Sequence, residues 1–371
     1  MNREHKGRQF GPALLYAVLA LFCFVGVAQA QYVRDLPPPP PPNTPKPTPT
    51  PPLKDEDFEV IKVSSNLVMV PVSVVDASGQ AVHGLPINEF RLEEEGRTQQ
   101  IVEIGNPDQV PLDIVILFDI SSSVSDRGFF AFQQKAAASF LRQVLKPTDQ
   151  AAVFTIGEEP VLVTPLGSAE TAAAKLSAIP AATTKVFTSF YDTVAAAAKY
   201  LDEKSAQSRR KVIVVISDGD DTNSKLAQQT MAEIRATQKV EPTGSALENL
   251  QSRHRRAVTE VQKAVQKSDA AFYSINPGGA SVHLNQISTR AQRGMESIAQ
   301  STGGTAFMPD GEKDLEKVFN EVAAELRGQY LLQYYSTSQT AGAGFRSIKV
   351  ALPSHSDFRV RARQGYYPRQ K

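Results

Sequence analysis

Leu112-Asp113-Ile114-Val115-Ile116-Leu117-Phe118-Asp119-Ile120-Ser121-Ser122-Ser123 is the stretch on which the fold turns. Residues 112–118 form a nearly continuous apolar run of strand length, and strands buried on both faces belong to parallel sheets covered by helices. The run stops at Asp119, where oxygen-bearing side chains take over at alternate positions. Downstream the pattern repeats. A helix is expected over 129–145, closed by Pro147, followed by strands over 151–156 and 212–216, the second wholly apolar. Further strands are expected over 271–275 and 305–308, with helices over 295–300 and 315–327. Alternation of this kind across 111–327 predicts an α/β domain with a doubly wound, mostly parallel sheet.

On either side the pattern changes to β. Residues 67–75 are rich in valine, with Pro71 marking an edge position or a bulge. Phe90-Arg91-Leu92 is expected to face Ile101-Val102-Glu103-Ile104 across a Glu94-Glu95-Gly96-Arg97 turn. Short β-like runs recur at 330–335, 346–352 and 358–363. The N-terminal β segment (57–108) and the C-terminal one (328–371) are therefore expected to meet in a smaller β-sandwich-like domain, with the α/β domain inserted between them; two separate flanks are the alternative. Residues 226–268 are long for a crossover and charged, with Arg253-His254-Arg255-Arg256 in a row, and read as a solvated helical pair or an insertion.

The chain of 371 residues begins with Arg3, Lys6 and Arg8, an apolar run over 12–27, and Ala28-Gln29-Ala30. That order is the grammar of a signal peptide over 1–30, cleaved to leave Gln31, and the run is short for a bilayer span. No stable membrane span is expected after cleavage, and the mature protein is expected to be secreted or periplasmic. The single cysteine, Cys23, lies inside the apolar run between Phe22 and Phe24, a poor context for lipidation, so the mature chain has no thiol and its stability rests on packing. Residues 31–56 are dominated by proline and read as a stiff spacer. The net charge of +1 is dispersed, which argues against nucleic acid as partner.

Ligands of open α/β sheets bind beyond the carboxyl ends of the strands. There, strand 112–118 runs into Asp119-Ile120-Ser121-Ser122-Ser123, and strand 212–216 into Ser217-Asp218-Gly219-Asp220-Asp221. Thr188 stands four residues before Asp192, at the mouth of a helix starting near Tyr191. Asp119, Ser121, Ser123, Thr188 and Asp218 make an all-oxygen set of two carboxylates and three hydroxyls, suited to a hard cation: Mg²⁺ first, Mn²⁺ or Ca²⁺ as alternatives. An octahedral shell needs about six donors, so water or an outside ligand must complete it, and a partner's carboxylate is the natural candidate. Asp220 and Asp221 read as loop or helix-capping carboxylates.

These residues resemble the metal-ion-dependent adhesion site of the von Willebrand factor type A family, written D-x-S-x-S with a threonine in a second loop and an aspartate in a third. The matching positions are Asp119, Ser121 and Ser123; Thr188 in Thr188-Ser189-Phe190-Tyr191-Asp192; and Asp218 in Ser217-Asp218-Gly219. The resemblance covers about 111–327 and implies that family's Rossmann-like fold. It also implies metal contact by the two serines and the threonine, aspartates acting directly or through water, and a protein ligand offering an acidic side chain. Gly84-Leu85 through Phe90, Glu95-Gly96, 330–334 and Arg363-Gln364-Gly365-Tyr366 are similar to the flanks of secreted von Willebrand factor A-related proteins of Acidobacteria.

No G-x-S-x-G, H-E-x-x-H, Walker A or G-x-G-x-x-G pattern is present. His83, His254, His283 and His355 are scattered without neighbouring acid partners and read as surface or loop residues. Ser121 stands where a phosphoryl-transfer site would need a second carboxylate. The expectation is a metal-dependent binding module and not an enzyme. A hydrolase or phosphatase using the same metal, and a structural envelope protein with an unused site, are the alternatives.

Overall fold

The computed structural model describes residues 67–121, 130–228, 245–279, 286–310, 312–338 and 344–368. The expected signal peptide, the Pro-rich stretch, residues 57–66, Ser123 and His283 lie outside the described residues. Four strands come first: β1 (Leu67–Val75), β2 (Arg91–Glu94), β3 (Arg97–Gln99) and β4 (Ile101–Gly105). The α/β part follows as β5 (Leu112–Asp119), α1 (Phe130–Val144), β6 (Gln150–Ile156), β7 (Val161–Gly167), α2 (Ala169–Ser177), α3 (Phe190–Lys204) and β8 (Arg210–Ile216). It continues through α4 (Ser245–Lys267), β9 (Ala270–Ile275), α5 (Gln286–Thr302), β10 (Ala306–Phe307) and α6 (Glu312–Gly328). Strands β11 (Tyr330–Tyr335), β12 (Arg346–Ala351), β13 (Arg359–Ala362) and β14 (Gly365–Tyr366) close the chain.

The central sheet is ordered β10-β9-β8-β5-β6-β7, parallel except for β7. Every residue of β5 is buried. Its Ile114, Ile116 and Phe118 pack with Val214 and Ile216 under α1, α2 and α6, through Phe140, Leu176 and Phe319. Val115 and Leu117 pack with Ile213 and Val215 on the opposite face, under α3, α4 and α5, through Val194, Val261 and Ile298. Each such side chain contributes roughly 1.5–3 kcal/mol of transfer free energy, so the two helical layers are held chiefly through β5 and β8. Here α4 corrects one expectation: the second half of 226–268 is the crossover helix, with Ala257, Val261 and Val265 fully buried. Its charged side chains hid an apolar stripe at helical spacing.

The terminal segments interleave in two further sheets, β13-β1-β11-β4 and β14-β12-β2-β3. Val68, Val70, Val72 and Val74 alternate into a core shared with Leu92, Leu332, Tyr334 and Ile348, which is the expected sandwich of two antiparallel faces. The expected pairing of 90–92 with 101–104 is not what forms. Across Glu95 and Gly96, both at positive φ, β2 pairs with β3, while β4 crosses to the other sheet and pairs with β11. Pro71 sits in an inner strand, yet β13 covers only Val72–Val75, so proline falls where one side of β1 is open. The Arg363 guanidinium donates to the Met69 carbonyl (2.9 Å) along that open stretch.

Charged contacts join the sandwich to the α/β part. Arg361 meets Glu325 of α6 at 2.7 Å, Glu325 accepts from the Tyr273 hydroxyl at 3.0 Å, and Arg363 meets Asp269 at 2.6 Å. Inside the sandwich Glu94 is buried. It accepts hydrogen bonds from Ser336 (2.9 Å), Arg346 (3.3 Å) and Tyr366 (3.3 Å). A buried carboxylate robbed of its cation keeps the whole desolvation cost. Arg346→Met should therefore lower the unfolding free energy by about 3–5 kcal/mol, and Glu94→Leu added to it should restore most of the loss. Urea titrations of the two variants beside the wild type check this.

Candidate metal site

Asp119 is the last residue of β5 and is wholly buried. One of its carboxylate oxygens accepts the Ser121 amide at 2.8 Å and the other the Ser217 hydroxyl at 2.5 Å; the Ser121 hydroxyl bonds the same carboxylate. Ser217 follows β8 and accepts the Gly219 amide at 2.9 Å. Gly219 has φ +75°, the left-handed conformation that favours glycine, with the flexible end of Met295 lying against it. Asp218, between them, is half-buried and accepts the Asp220 amide at 3.2 Å.

Despite its hydrogen bonds, Asp119 has its pKa pushed up to about 6, first by burial and then by the negative charge of Asp218. Two carboxylates thus share one pocket of low polarity, the condition a divalent cation relieves. The donor types fit such an ion. The groups gathered here are the carboxylates of Asp119 and Asp218 with the hydroxyls of Ser121 and Ser217, the oxygen donors that hard cations prefer.

Thr188 is buried just before α3 and joins this group through its backbone. Its amide donates to the Thr222 hydroxyl (2.9 Å), and its carbonyl accepts the Thr222 and Asn223 amides (2.9 Å each), which fastens it to the loop that carries Asp218. Ser189 donates its amide to Gly157 (2.7 Å) and its hydroxyl to Glu158 (2.5 Å), both carbonyls of the turn after β6. The structure therefore brings Asp119, Ser121 and Asp218 together and ties Thr188 to the Asp218 loop. Ser123 lies outside the described residues.

Asp221 is a helix-capping carboxylate. Its carboxylate accepts the Tyr191 amide (3.4 Å) in the first turn of α3 and the Ser224 hydroxyl. In return, Asp192 of α3 accepts the Lys225 (2.8 Å) and Leu226 (3.1 Å) amides, so helix and loop cap each other.

Two residues were misread or missed. His355 does have an acid beside it, Glu89 at 3.4 Å. His254, taken for a surface residue, is half-buried; its Nδ1 is 2.8 Å from the Tyr191 hydroxyl, with the rings edge to face at 5.5 Å. The signal was present in the sequence, because His254 stands three and four residues before the buried pair Ala257 and Val258 on one helix face. Burial, helped by Arg290, pushes its imidazole down to about pKa 4. NMR titration of the His254 ring should find that low value. The depressed pKa means the unfolded chain takes up the proton first, so this residue's stabilising share is complete above about pH 6.5 and is lost as pH falls toward about 4. Asp119 and Asp221, both raised to about 6 chiefly by burial, act in the opposite sense over that range. The His254→Gln variant compared with wild type isolates the histidine: its stability should fall less steeply between those pH values.

The von Willebrand factor type A domain profile matches residues 113–321, more than half of the chain. Among solved structures the chain is similar to a von Willebrand factor type A protein from Catenulispora acidiphila (14% identity, TM-score 0.42, covering 72% of this chain and 52% of that one). It is also similar to the vWF domain of the type V pili tip protein Mfa5 from Porphyromonas gingivalis (14% identity, TM-score 0.41, 58% and 94%). A third is proximal thread matrix protein 1 from the mussel byssus, with a zinc-occupied MIDAS motif (14% identity, TM-score 0.42, 62% and 48%). The chain spans about half the length of the Catenulispora and mussel chains. No curated protein matches it.

Proposed function

The chain belongs to the von Willebrand factor type A domain family, and from that premise we propose that it is an exported, non-enzymatic module that captures a protein partner's acidic side chain through a divalent cation. Asp119, Ser121, Ser123, Thr188 and Asp218 would hold the ion, with Mg²⁺ the expected occupant and Mn²⁺ or Ca²⁺ compatible with the same oxygen donors. Strands β1–β4 and β11–β14 form the sandwich that would carry it, and 111–327 is the proposed binding domain. Export rests on the N-terminal signal grammar, which leads to a periplasmic or secreted protein; among the described residues no helix is long and apolar enough to cross a membrane.

The observation that carries this reading is the state of Asp119: wholly buried, fixed by Ser121 and Ser217, and raised in pKa by burial and by Asp218. A residue used only for packing would not be an acid there. A cation bound at this site would act as a Lewis acid for an outside oxygen. The chain's own part is to fix the donors in place. Catalysis would need a general base within reach, and two titratable groups packed behind the loops are committed to structure: His254 to Tyr191, Asp221 to Tyr191 and Ser224.

Asp119→Asn separates this reading from a structural role. Removing a buried charge with a raised pKa should leave the metal-free protein at least as stable as metal-free wild type at neutral pH. Wild type should gain about 2.7 kcal/mol at a Mg²⁺ or Mn²⁺ concentration near a hundred times Kd, and the variant should gain nothing. Thermal melts and calorimetry check both halves. Capture of a partner from envelope extract should vanish with EDTA and in the variant alike. Absence of any heat of binding with both metals would sink the proposal.

A further inference from the structure

We infer that Arg363, Gln364 and Gly365 form a strap that fixes the α/β part on the sandwich and turns a hinge into a rigid joint. The two parts meet at the amino ends of the parallel strands, the end away from Asp119. Their covalent crossings are residues 106–111, ahead of β5, and Gln329, after α6. Two ties stand beside those crossings: Arg210 holds the Pro107 and Leu326 carbonyls, and Arg361 meets Glu325 in the last turn of α6. Contacts gathered at one place prevent separation but leave an axis about which the parts can rock.

The strap supplies a second point of attachment. It lies against the α4–β9 turn and the end of α5, and β9 is two strands from β5, about 10 Å across the sheet. The Arg363 guanidinium spans the joint: it meets Asp269 at 2.6 Å, donates to the Met69 carbonyl of β1 at 2.9 Å, and lies over the Tyr366 ring at 5.2 Å. Gln364 bridges with its backbone alone. Its amide donates to the Ser301 carbonyl (3.0 Å) in the last turn of α5, where helical carbonyls lack intrahelical partners, and its carbonyl accepts the Ile348 amide (2.8 Å) of β12 in the second sheet. Two glycines let the backbones touch. A Cβ at Gly303, which has φ +84°, would stand 2.7 Å from the Arg363 nitrogen, and one at Gly365 would run into the Arg346 carbonyl oxygen. Asp269 itself takes a left-handed φ of +59°, uncommon outside glycine, at the position from which it reaches Arg363. Three consecutive residues thus engage β1, β12, α5 and the α4–β9 turn. Rocking has to break the guanidinium pair and the Gln364 backbone bonds together.

The test places spin labels on the full chain at two exposed positions, Thr98→Cys on β3 and Lys199→Cys on α3, in a Cys23→Ser background that removes the one native thiol. Pulsed dipolar spectroscopy should give one narrow distance distribution when the strap is intact. Arg363→Met should widen it about twofold, as a joint reduced to a hinge requires. Asp269→Gly should do the same: glycine suits the left-handed backbone, so only the carboxylate is lost, and this variant decides the matter where Arg363→Met fails to fold. Arg361→Met, whose tie stands beside a crossing, should leave the width unchanged. A broad distribution with the strap intact, an unchanged width in Asp269→Gly, or equal widening by Arg361→Met overturns the inference. It stands apart from the metal-dependent reading, because the strap lies at the opposite end of the sheet.

Discussion

A carboxylate at the end of a strand buried on both faces cannot shed its charge into water, and Asp119 is in that position at the centre of the sheet. Its surroundings are arranged to receive it. Ser121 closes back on it from its own loop, and Ser217 reaches it from the end of the adjacent parallel strand β8, so one carboxylate sets the distance between two loops. The Ser217 oxygen also accepts the Gly219 amide, in a left-handed turn at Gly219 with the Met295 side chain beside it. Those contacts put Asp218 beside Asp119, and the two acids then raise the cost of being charged together.

The remainder of the site is a set of reciprocal caps that keep this costly arrangement from relaxing. Thr188 is held by Thr222 and Asn223, Asp192 caps the turn at Lys225, and Asp221 with Ser224 caps the start of α3. Behind them Tyr191 is pinned by His254, and Gly294 keeps the space open, since a Cβ there would sit 3.1 Å from the Tyr191 hydroxyl. Side chains that look available for chemistry are thus committed to geometry. Loops that bond one another across three strands are held in one relative arrangement by these contacts.

How much of this was legible in the sequence depended on the length scale of each signal. The sheet was legible because a strand buried on both faces must be a continuous apolar run, and 112–118 and 212–216 are such runs. Asp119, Ser121 and Asp218 were legible because a polar residue ending such a run has to face the ligand end of the sheet. The strand β7 and helix α2 were not read at all: Val161–Gly167 contains Pro165 and exposes Val161 and Leu162, so it lacks the inward pattern of a paired strand. Pairing of β4 with β11 instead of β2 was invisible too, because both partners are adequate strands and only the three-dimensional closure of the inserted domain brings residue 105 beside residue 331. His254 was hidden by its neighbours, since three arginines around it suggest solvent while the helix turns the histidine inward.

That closure explains how a sandwich can be interrupted by a whole domain. Pairing Gly105 with Leu331 would require closing a loop of more than two hundred residues, and loop entropy rises only with the logarithm of length but never vanishes. Once the α/β part has folded, the entropy is already spent, because β5 starts and α6 ends on the same side of the sheet. Arg210 marks the junction: its guanidinium donates to the Leu326 carbonyl (2.7 Å) on the way out and to the Pro107 carbonyl (3.1 Å) on the way in. With both chain crossings held by one planar group, β4 and β11 emerge as neighbours, and Tyr330 adds the Val82 carbonyl (2.9 Å) to the same corner. The sandwich core of Val70, Val72, Leu92 and Leu332 then closes over a shortened effective loop. The buried strands β5 and β8, by contrast, are packed by helices of the insertion itself.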